Sequence, residues 1–222
     1  GRHTDALHEL GEALRLAREA GDGPVEAWAL AFSGRIHIPR RELTPARKAL
    51  EASLTSARRL RWTAFTPLPE SLLAGVDLAE GNTDAAAAAY EHAHALSLQL
   101  GDPCWEGLAA RGIGLVANRR GDTESALRWV TEARLRCVRL PDAWLWVEGY
   151  CLDALCALAI EHRRPIATQL VADLEALATR TGMRELVARA YLHRSRLGDR
   201  AAAEAAGVLA AEVDNPAVLQ VD

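Results

Sequence analysis

Cysteine, methionine and aromatic residues are scarce in this chain. Its 222 residues include four cysteines, one methionine and 5% aromatic residues. Four scattered cysteines are too few for a disulfide framework, so we expect buried free thiols. Long apolar runs are also missing: none reaches the roughly 18–20 residues that span a bilayer, and residues 1–20 predict an amphipathic helix rather than a signal peptide. The sequence therefore predicts a cytoplasmic protein that does not enter a membrane.

The chain also lacks an excess of basic charge. Its formal net charge is −4, which gives no general attraction to nucleic acid or to an anionic membrane. Arginine pairs such as Arg58-Arg59 and Arg163-Arg164 lie near predicted helix ends, where a cation complements the helix dipole. Because acids such as Glu161 interrupt any basic face, we expect this region not to bind nucleic acid directly.

Motifs for metal, phosphate or nucleophile chemistry are absent. His92 and His94 are two residues apart and face different sides of a helix, whereas a helical zinc pair needs a spacing of about three or four. The glycine-rich stretch 21–24 lacks the Lys-Ser/Thr ending of a phosphate loop, and no GxSxG turn occurs. We therefore expect no metal, no cofactor, no catalytic residue and no enzyme. A cleft that holds buried titratable groups with strongly shifted pKa values would instead favour an enzymatic function.

What the chain does contain is a repeat of 40 residues. Small residues recur in register, as do the breaks between helical stretches. The series are Ala6, Ala46, Ala86 and Ala126, then Ala13, Ser53, Ala93 and Ala133, then Gly34, Ala74, Gly114 and Ala154. A fixed period of roughly 20–50 residues is typical of solenoids.

Each block predicts two helices, because apolar residues recur at helical spacing between breaks rich in Gly, Asp and Pro. No stretch shows the alternation typical of a β-strand. The predicted helices are Thr4–Ala20, Val25–Ile38, Pro45–Leu60, Leu68–Glu80, Asp84–Leu100, Trp105–Arg119, Glu124–Leu140, Ala143–His162, Ile166–Arg180, Glu185–Leu197 and Ala201–Val213. Small residues allow helices to cross closely, so we expect Gly34 and Gly114 at such contacts.

These residues resemble the tetratricopeptide (TPR) repeat. The shared elements are the small residue of the first helix (Gly34, Ala74, Gly114, Ala154), the glycine turn seven residues later (Gly81, Gly121) and the small residues of the second helix. The chain departs from the family in its period, 40 rather than about 34 residues, and in having few large aromatics on the first helix. The resemblance implies an all-α, right-handed α-solenoid of antiparallel helix pairs that binds protein or peptide.

The Ala- and Arg-rich, Lys-poor composition resembles the helical repeat regions of large bacterial transcriptional regulators. These include MalT-like and other LuxR-type ATP-dependent activators, and the antibiotic regulatory proteins of actinobacteria. There, such repeats follow a nucleotide-binding domain and serve as sensor or interaction surfaces. The resemblance implies the same role here.

Both ends of the chain fall inside repeats. Gly1-Arg2 aligns with Gly81-Asn82, so the first helix has no hairpin partner before it, and neither end carries the polar cap that is normal for a solenoid. We therefore expect residues 1–222 to be one repeat domain of about five and a half helix hairpins within a longer protein. Because uncapped ends can stack, self-association remains open.

The TPR resemblance also selects candidate binding residues. In the TPR arrangement, the first helix of each pair lines the concave groove, and tryptophan and arginine are enriched where partners bind. The candidates are Trp28 for apolar contact, Arg35, Arg111, Asn118 and Arg119 for a peptide backbone or carboxylate, and Glu148 and Trp144 beside them.

Two functions remain open from the sequence. The leading one is a protein-interaction or sensor domain of a bacterial transcriptional regulator, which binds a partner protein or another domain of its own chain. The alternative is a receptor for a signalling peptide or a small-molecule effector in the concave groove. The groove discriminates between them: a closed pocket lined by Asn and Arg favours a peptide or small molecule, and a broad open face favours a protein.

Overall fold

Consecutive helices pair antiparallel and stack into an α-solenoid. The computed structural model describes residues 2–138 and 145–220. Within these ranges the chain forms eleven α-helices: α1 (His3–Ala20), α2 (Gly23–His37), α3 (Leu43–Arg59), α4 (Pro67–Ala79), α5 (Thr83–Leu100), α6 (Pro103–Arg119), α7 (Thr123–Cys137), α8 (Leu145–Glu161), α9 (Ala167–Thr181), α10 (Arg184–Arg196) and α11 (Arg200–Glu212). The predicted helices are confirmed within a few residues at each described end. The 3-10 turn Thr63–Phe65, between α3 and α4, was not predicted.

The even-numbered helices form the inner layer of the solenoid. From α2 to α10, each contacts the next even-numbered helix as well as its hairpin partners. This is the layer in which the sequence placed the candidate binding residues.

A recurring turn sets the spacing of the helices. Gly101 ends α5 in the left-handed region at φ 68°, and the Asp102 side chain then accepts hydrogen bonds from the amides of Cys104 and Trp105 at 3.0 and 3.1 Å. A left-handed residue followed by a capping aspartate therefore ends one helix and begins the next. Arg41 and Arg61 adopt the same conformation at other turns, where an L side chain costs about 1–2 kcal/mol.

Small residues lie where helices cross, as the sequence predicted. A Cβ atom on Gly114 would lie 2.5 Å from Val130 Cγ2 and 3.0 Å from the backbone oxygen of Ala126. A Cβ atom on Gly34 would lie 2.4 Å from Leu50 Cγ. These distances are too short for any side chain, so the two glycines fix the approach of α6 to α7 and of α2 to α3.

Gly114→Leu is expected to lower the free energy of unfolding by about 1–3 kcal/mol, because the new side chain overpacks the contact with α7. The matched control is Gly207→Leu in α11, where nothing lies within 4 Å of the added Cβ atom. There the change replaces a poor helix former, so we expect a gain of up to about 1 kcal/mol. Urea unfolding of both variants measures the difference, and equal effects at the two positions would contradict the close contact.

Aromatic side chains form a cluster around Trp28 in the first half of the solenoid. The rings of Trp28 and Phe65 lie 4.7 Å apart, and those of Trp62 and Phe65 lie 4.6 Å apart. Trp28 of α2 also reaches Trp105 of α6, at 6.3 Å between ring centres, and so bypasses α4. The solenoid is therefore wound so tightly that non-adjacent repeats touch across its interior.

The two ends of the solenoid also contact each other. His3 Nε2 lies 3.0 Å from Glu185 Oε2, and the amide of Thr4 donates to Asp214 Oδ2 at 2.5 Å. Arg40 Nη1 donates to the backbone oxygen of Asp214 at 2.7 Å and to its Oδ1 at 3.0 Å. We call these five residues the end clasp. Because the clasp joins α1 and the α2–α3 turn to α10 and the segment after α11, it closes the groove that the sequence predicted as a concave face.

Candidate ligand-binding cavity

A cavity of about 230 Å³, partly open to solvent, lies beside the end clasp. Its walls come from α1, the end of α2, the start of α8 and the turn into α10. We call it the central cavity, and its lining includes His3, Arg35, Trp146, Tyr150, Met183 and Glu185. These segments are far apart in the chain and meet because the solenoid closes on itself.

Arg35 is the distinctive group of the central cavity. Its guanidinium carbon lies 4.6 Å from the ring centre of Trp146 and 5.3 Å from that of Phe32. A cation held over an aromatic face is stabilised by about 0.5–2 kcal/mol. Among the described residues, the buried Nε of Arg35 has no hydrogen-bond partner and the guanidinium has no ion pair. Arg35 therefore presents to the cavity a positive charge that no carboxylate of the described ranges neutralises.

The carboxylate that lines the same cavity already has partners for both of its oxygens. Glu185 pairs with His3 through Oε2, and its Oε1 accepts a hydrogen bond from Asn215 Nδ2 at 2.9 Å. Burial alone would raise the pKa of Glu185, but the hydrogen bond and charge of His3, with the hydrogen bond from Asn215, lower it below its usual value. Glu185 is thus an ionised member of the end clasp at neutral pH.

Tyr150 and His3 add polar groups to a largely apolar wall. Burial raises the pKa of Tyr150 to about 12, so its hydroxyl group stays neutral. His3 uses Nε2 to pair with Glu185, while its Nδ1 is buried without a hydrogen-bond partner among the described residues. An apolar cavity with a few polar groups is the usual composition of a small-ligand site.

The structure places one predicted site residue in the cavity and others elsewhere. Arg35 lines the central cavity, and Trp28 lies half-buried in the aromatic cluster described above. Trp144 lies outside the described residues. Its neighbour Trp146 lines the cavity instead.

The remaining candidates are distributed along α6 and α8. Arg111 donates from Nε to the backbone oxygen of Tyr150 at 3.0 Å, which ties α6 to α8. Asn118 Oδ1 pairs with His162 Nε2 at 3.2 Å, and Arg119 is exposed at the end of α6. Glu148 is half-buried in α8. None of these four is among the residues that line the central cavity, and their part in binding stays a prediction.

Sequence reasoning missed His3, Tyr150 and Glu185 as members of the site. Repeat positions could not indicate them, because each lies in a different part of the repeat and reaches the cavity through closure of the solenoid. Trp146 had a partial signal, since its position on a first helix was evident from the sequence.

A second group of titratable residues lies buried between α8 and α10. Asp153 Oδ1 accepts from Arg189 Nε at 2.8 Å and pairs with His193 Nε2 at 2.9 Å, while Asp153 Oδ2 lies 2.7 Å from Arg189 Nη2. Burial raises the pKa of Asp153, but Arg189 and His193 more than offset this, so the carboxylate stays ionised. The side chains of Asp153 and His193 are 5% and 0% exposed, so a substrate has no access to them. We therefore assign the group to fold stability.

The four cysteines are free and buried, as the sequence predicted. Burial raises the pKa of the Cys104 and Cys156 thiols, which keeps them protonated. In residues 2–138 and 145–220, no group of three or more His, Cys, Asp or Glu side chains is placed to hold a metal ion. No helix in the part of the chain that the structure describes has the length and apolar character needed to cross a membrane.

The helix pairs and their packing define a TPR-like α-solenoid, and solved structures share this fold. A Rap protein complexed with Competence and Sporulation Factor matches with a TM-score of 0.72 and 14% identity, over 84% of this chain and 53% of that protein. The chain thus spans about half the length of that protein. The apo form of RapI matches with a TM-score of 0.68 and 12% identity, over 92% of this chain and 78% of RapI.

A third similar structure is BtubC (BKLC) from P. vanneervenii, with a TM-score of 0.61 and 16% identity over 96% of this chain and 92% of that protein. Comparisons with protein-family models and with curated proteins give no match. At these identities the likeness establishes the fold alone.

Proposed function

We propose that this chain is a sensor domain of a bacterial transcriptional regulator and that it binds a signalling peptide or small effector in the central cavity. The observation that carries the proposal is the closed groove. Trp28 meets Trp105, and Arg35 meets Trp146, across the concave face, and a cavity of about 230 Å³ lies beside Arg35. A folded partner cannot enter such a space, whereas one small ligand or one peptide residue can. The regulator role rests on the sequence resemblance and implies a cytoplasmic location.

A thermal-shift screen of the 222-residue chain tests the proposal. Pools of short peptides and pools of small metabolites are the probes, and we expect at least one pool to raise the melting temperature by binding the native state. Met183→Trp is expected to abolish the shift, because Met183 lines the cavity and the larger ring fills it. Circular dichroism first establishes that the variant is folded.

Val208→Trp is the matched control. Val208 lies in α11 and is 59% exposed, so the same new side chain leaves the central cavity unchanged and the ligand shift should persist. A shift that survives Met183→Trp would contradict binding in the cavity. The absence of a shift with any pool would favour the second candidate function.

The second candidate is docking of a protein partner at one edge of the solenoid. Leu98 and Val138 are one repeat apart, near the ends of α5 and α7, and each is 52% exposed. Leu60 and Leu100 are likewise one repeat apart and each is 38% exposed. Exposed apolar residues at equivalent positions favour an interaction surface. Leu98→Glu tests this function. If the variant loses partner binding but still binds the ligand in the cavity, this edge is the docking surface.

A further inference from the structure

Resting on the function proposed above, we infer that the ligand of the central cavity carries a carboxylate, which binds Arg35, and an apolar body about the size of one amino-acid residue. Two sources share this chemistry: a small free acid, and the C-terminal residue of a peptide. The inference depends on the charge of the cavity and on its size.

The charge argument comes from a comparison among the arginines. Arg136 lies 2.6 Å from Glu106, and Arg189 lies 2.7 Å from Asp153; both side chains are mostly shielded from water. Arg40, which is also shielded, pairs with Glu42 and Asp214 at 3.0 Å. These three shielded arginines are therefore each paired with a carboxylate, as the cost of burying a lone charge requires, whereas the half-buried Arg111 donates to the backbone oxygen of Tyr150.

Arg35 departs from that pattern inside the cavity. It is half-buried and stacked on Trp146, and among the described residues no carboxylate pairs with its guanidinium and no group accepts a hydrogen bond from its Nε. Both oxygens of Glu185 are engaged, one with His3 and one with Asn215. A ligand carboxylate would accept charge-assisted hydrogen bonds from the Arg35 guanidinium, and such bonds are about twice as strong as neutral ones.

The walls and the volume of the cavity indicate the chemistry and the size of the rest of the ligand. Ile36, Pro39, Met183 and Leu186 line the cavity together with the two aromatic rings, so the ligand body should be apolar. An apolar cavity of about 150 Å³ holds a benzene molecule. The central cavity, at about 230 Å³, therefore suits a single ring or a branched aliphatic group bearing a carboxylate.

The test compares acids with their amides by calorimetric titration of the 222-residue chain. One arm uses phenylacetate against phenylacetamide. The other uses a pentapeptide ending in Phe, with a free C-terminus against an amidated one. We expect the acid to bind about tenfold tighter or more than the amide in at least one arm, since removing the charge leaves Arg35 unpaired again. Preference in the first arm identifies a small free acid, and preference in the peptide arm alone identifies a C-terminal residue.

Arg35→Met should remove the acid preference, and Arg184→Met is its matched control. Arg184 lines the same cavity but pairs with Glu212, so its loss should leave the preference intact. If Arg35 had only a structural role, Arg35→Met would lower the melting temperature of the chain without changing its preference for the acid over the amide. The inference would be overturned if neither arm showed tighter binding of the acid than of the amide. It would also be overturned if the preference for the acid survived in Arg35→Met. A neutral or cationic ligand that binds the wild type and is lost in Met183→Trp would overturn the inference yet leave the proposed function standing.

Discussion

Asp153→Asn is expected to lower the free energy of unfolding by about 3–5 kcal/mol at neutral pH, because it leaves the buried Arg189 guanidinium without its carboxylate. Arg189 and His193 both converge on Asp153, and their side chains are 16% and 0% exposed. Removing one member of a buried ion pair is far more destabilising than removing one member of a surface pair, since the remaining charge stays desolvated. Urea unfolding at pH 7 measures the effect.

The buried group of Asp153, Arg189 and His193 should also make the free energy of unfolding depend on pH. Burial raises the pKa of Asp153, but Arg189 and His193 bring it well below the ordinary value of 3.8. The unfolded chain therefore binds a proton at a higher pH than the folded chain does, so stability falls as pH falls. The contribution should be complete above about pH 5 and should be lost as the pH drops below 3.8 toward the lowered pKa. The difference between wild type and Asp153→Asn should accordingly narrow in acid.

Asp84→Asn is the matched control for this prediction. Asp84 pairs with Arg120 at 2.7 Å, but its side chain is 95% exposed. The same substitution should change stability there by less than about 0.5 kcal/mol. A comparable loss in the two variants would contradict the structural role of the buried group.

Trp105→Ala is expected to lower the free energy of unfolding by about 3–5 kcal/mol, as is usual for loss of a large buried ring. Trp105 is 4% exposed and contacts Trp28 across the interior of the solenoid. In most solenoids each repeat contacts only its neighbours. Here the ring links α6 to α2, so its loss should also reduce the cooperativity of unfolding. Chemical denaturation followed by far-ultraviolet circular dichroism measures both the midpoint and the slope.

Trp129→Ala serves as the control for the aromatic cluster. Trp129 lies on α7, is half-buried and packs edge-on against His94 at 5.4 Å, without spanning non-adjacent repeats. We expect a loss below about 2 kcal/mol and an unchanged slope. If Trp105→Ala were no more harmful than Trp129→Ala, the contact between α2 and α6 would not stabilise the fold.

The candidate site illustrates the limit of sequence reasoning. Arg35 was selected because it falls on a groove position of the repeat, and it does line the central cavity. Arg111 and Asn118 were selected by the same rule; they hydrogen-bond to the backbone of Tyr150 and to His162, and their part in binding stays a prediction. A repeat position specifies which layer a residue belongs to. It does not specify which neighbours the winding of the solenoid brings against it.

By itself the sequence determined the helices, their pairing and their close contacts. Periodic apolar residues, left-handed glycine turns such as Gly101 and small residues such as Gly114 act locally or between adjacent helices, so their consequences follow from spacing. Only the tertiary structure decided that the ends of the solenoid meet and that a cavity beside them contains Arg35, which has no ion pair within residues 2–138 and 145–220. Closure depends on small rotations that accumulate over all the repeats until His3 reaches Glu185, and no local pattern encodes that sum.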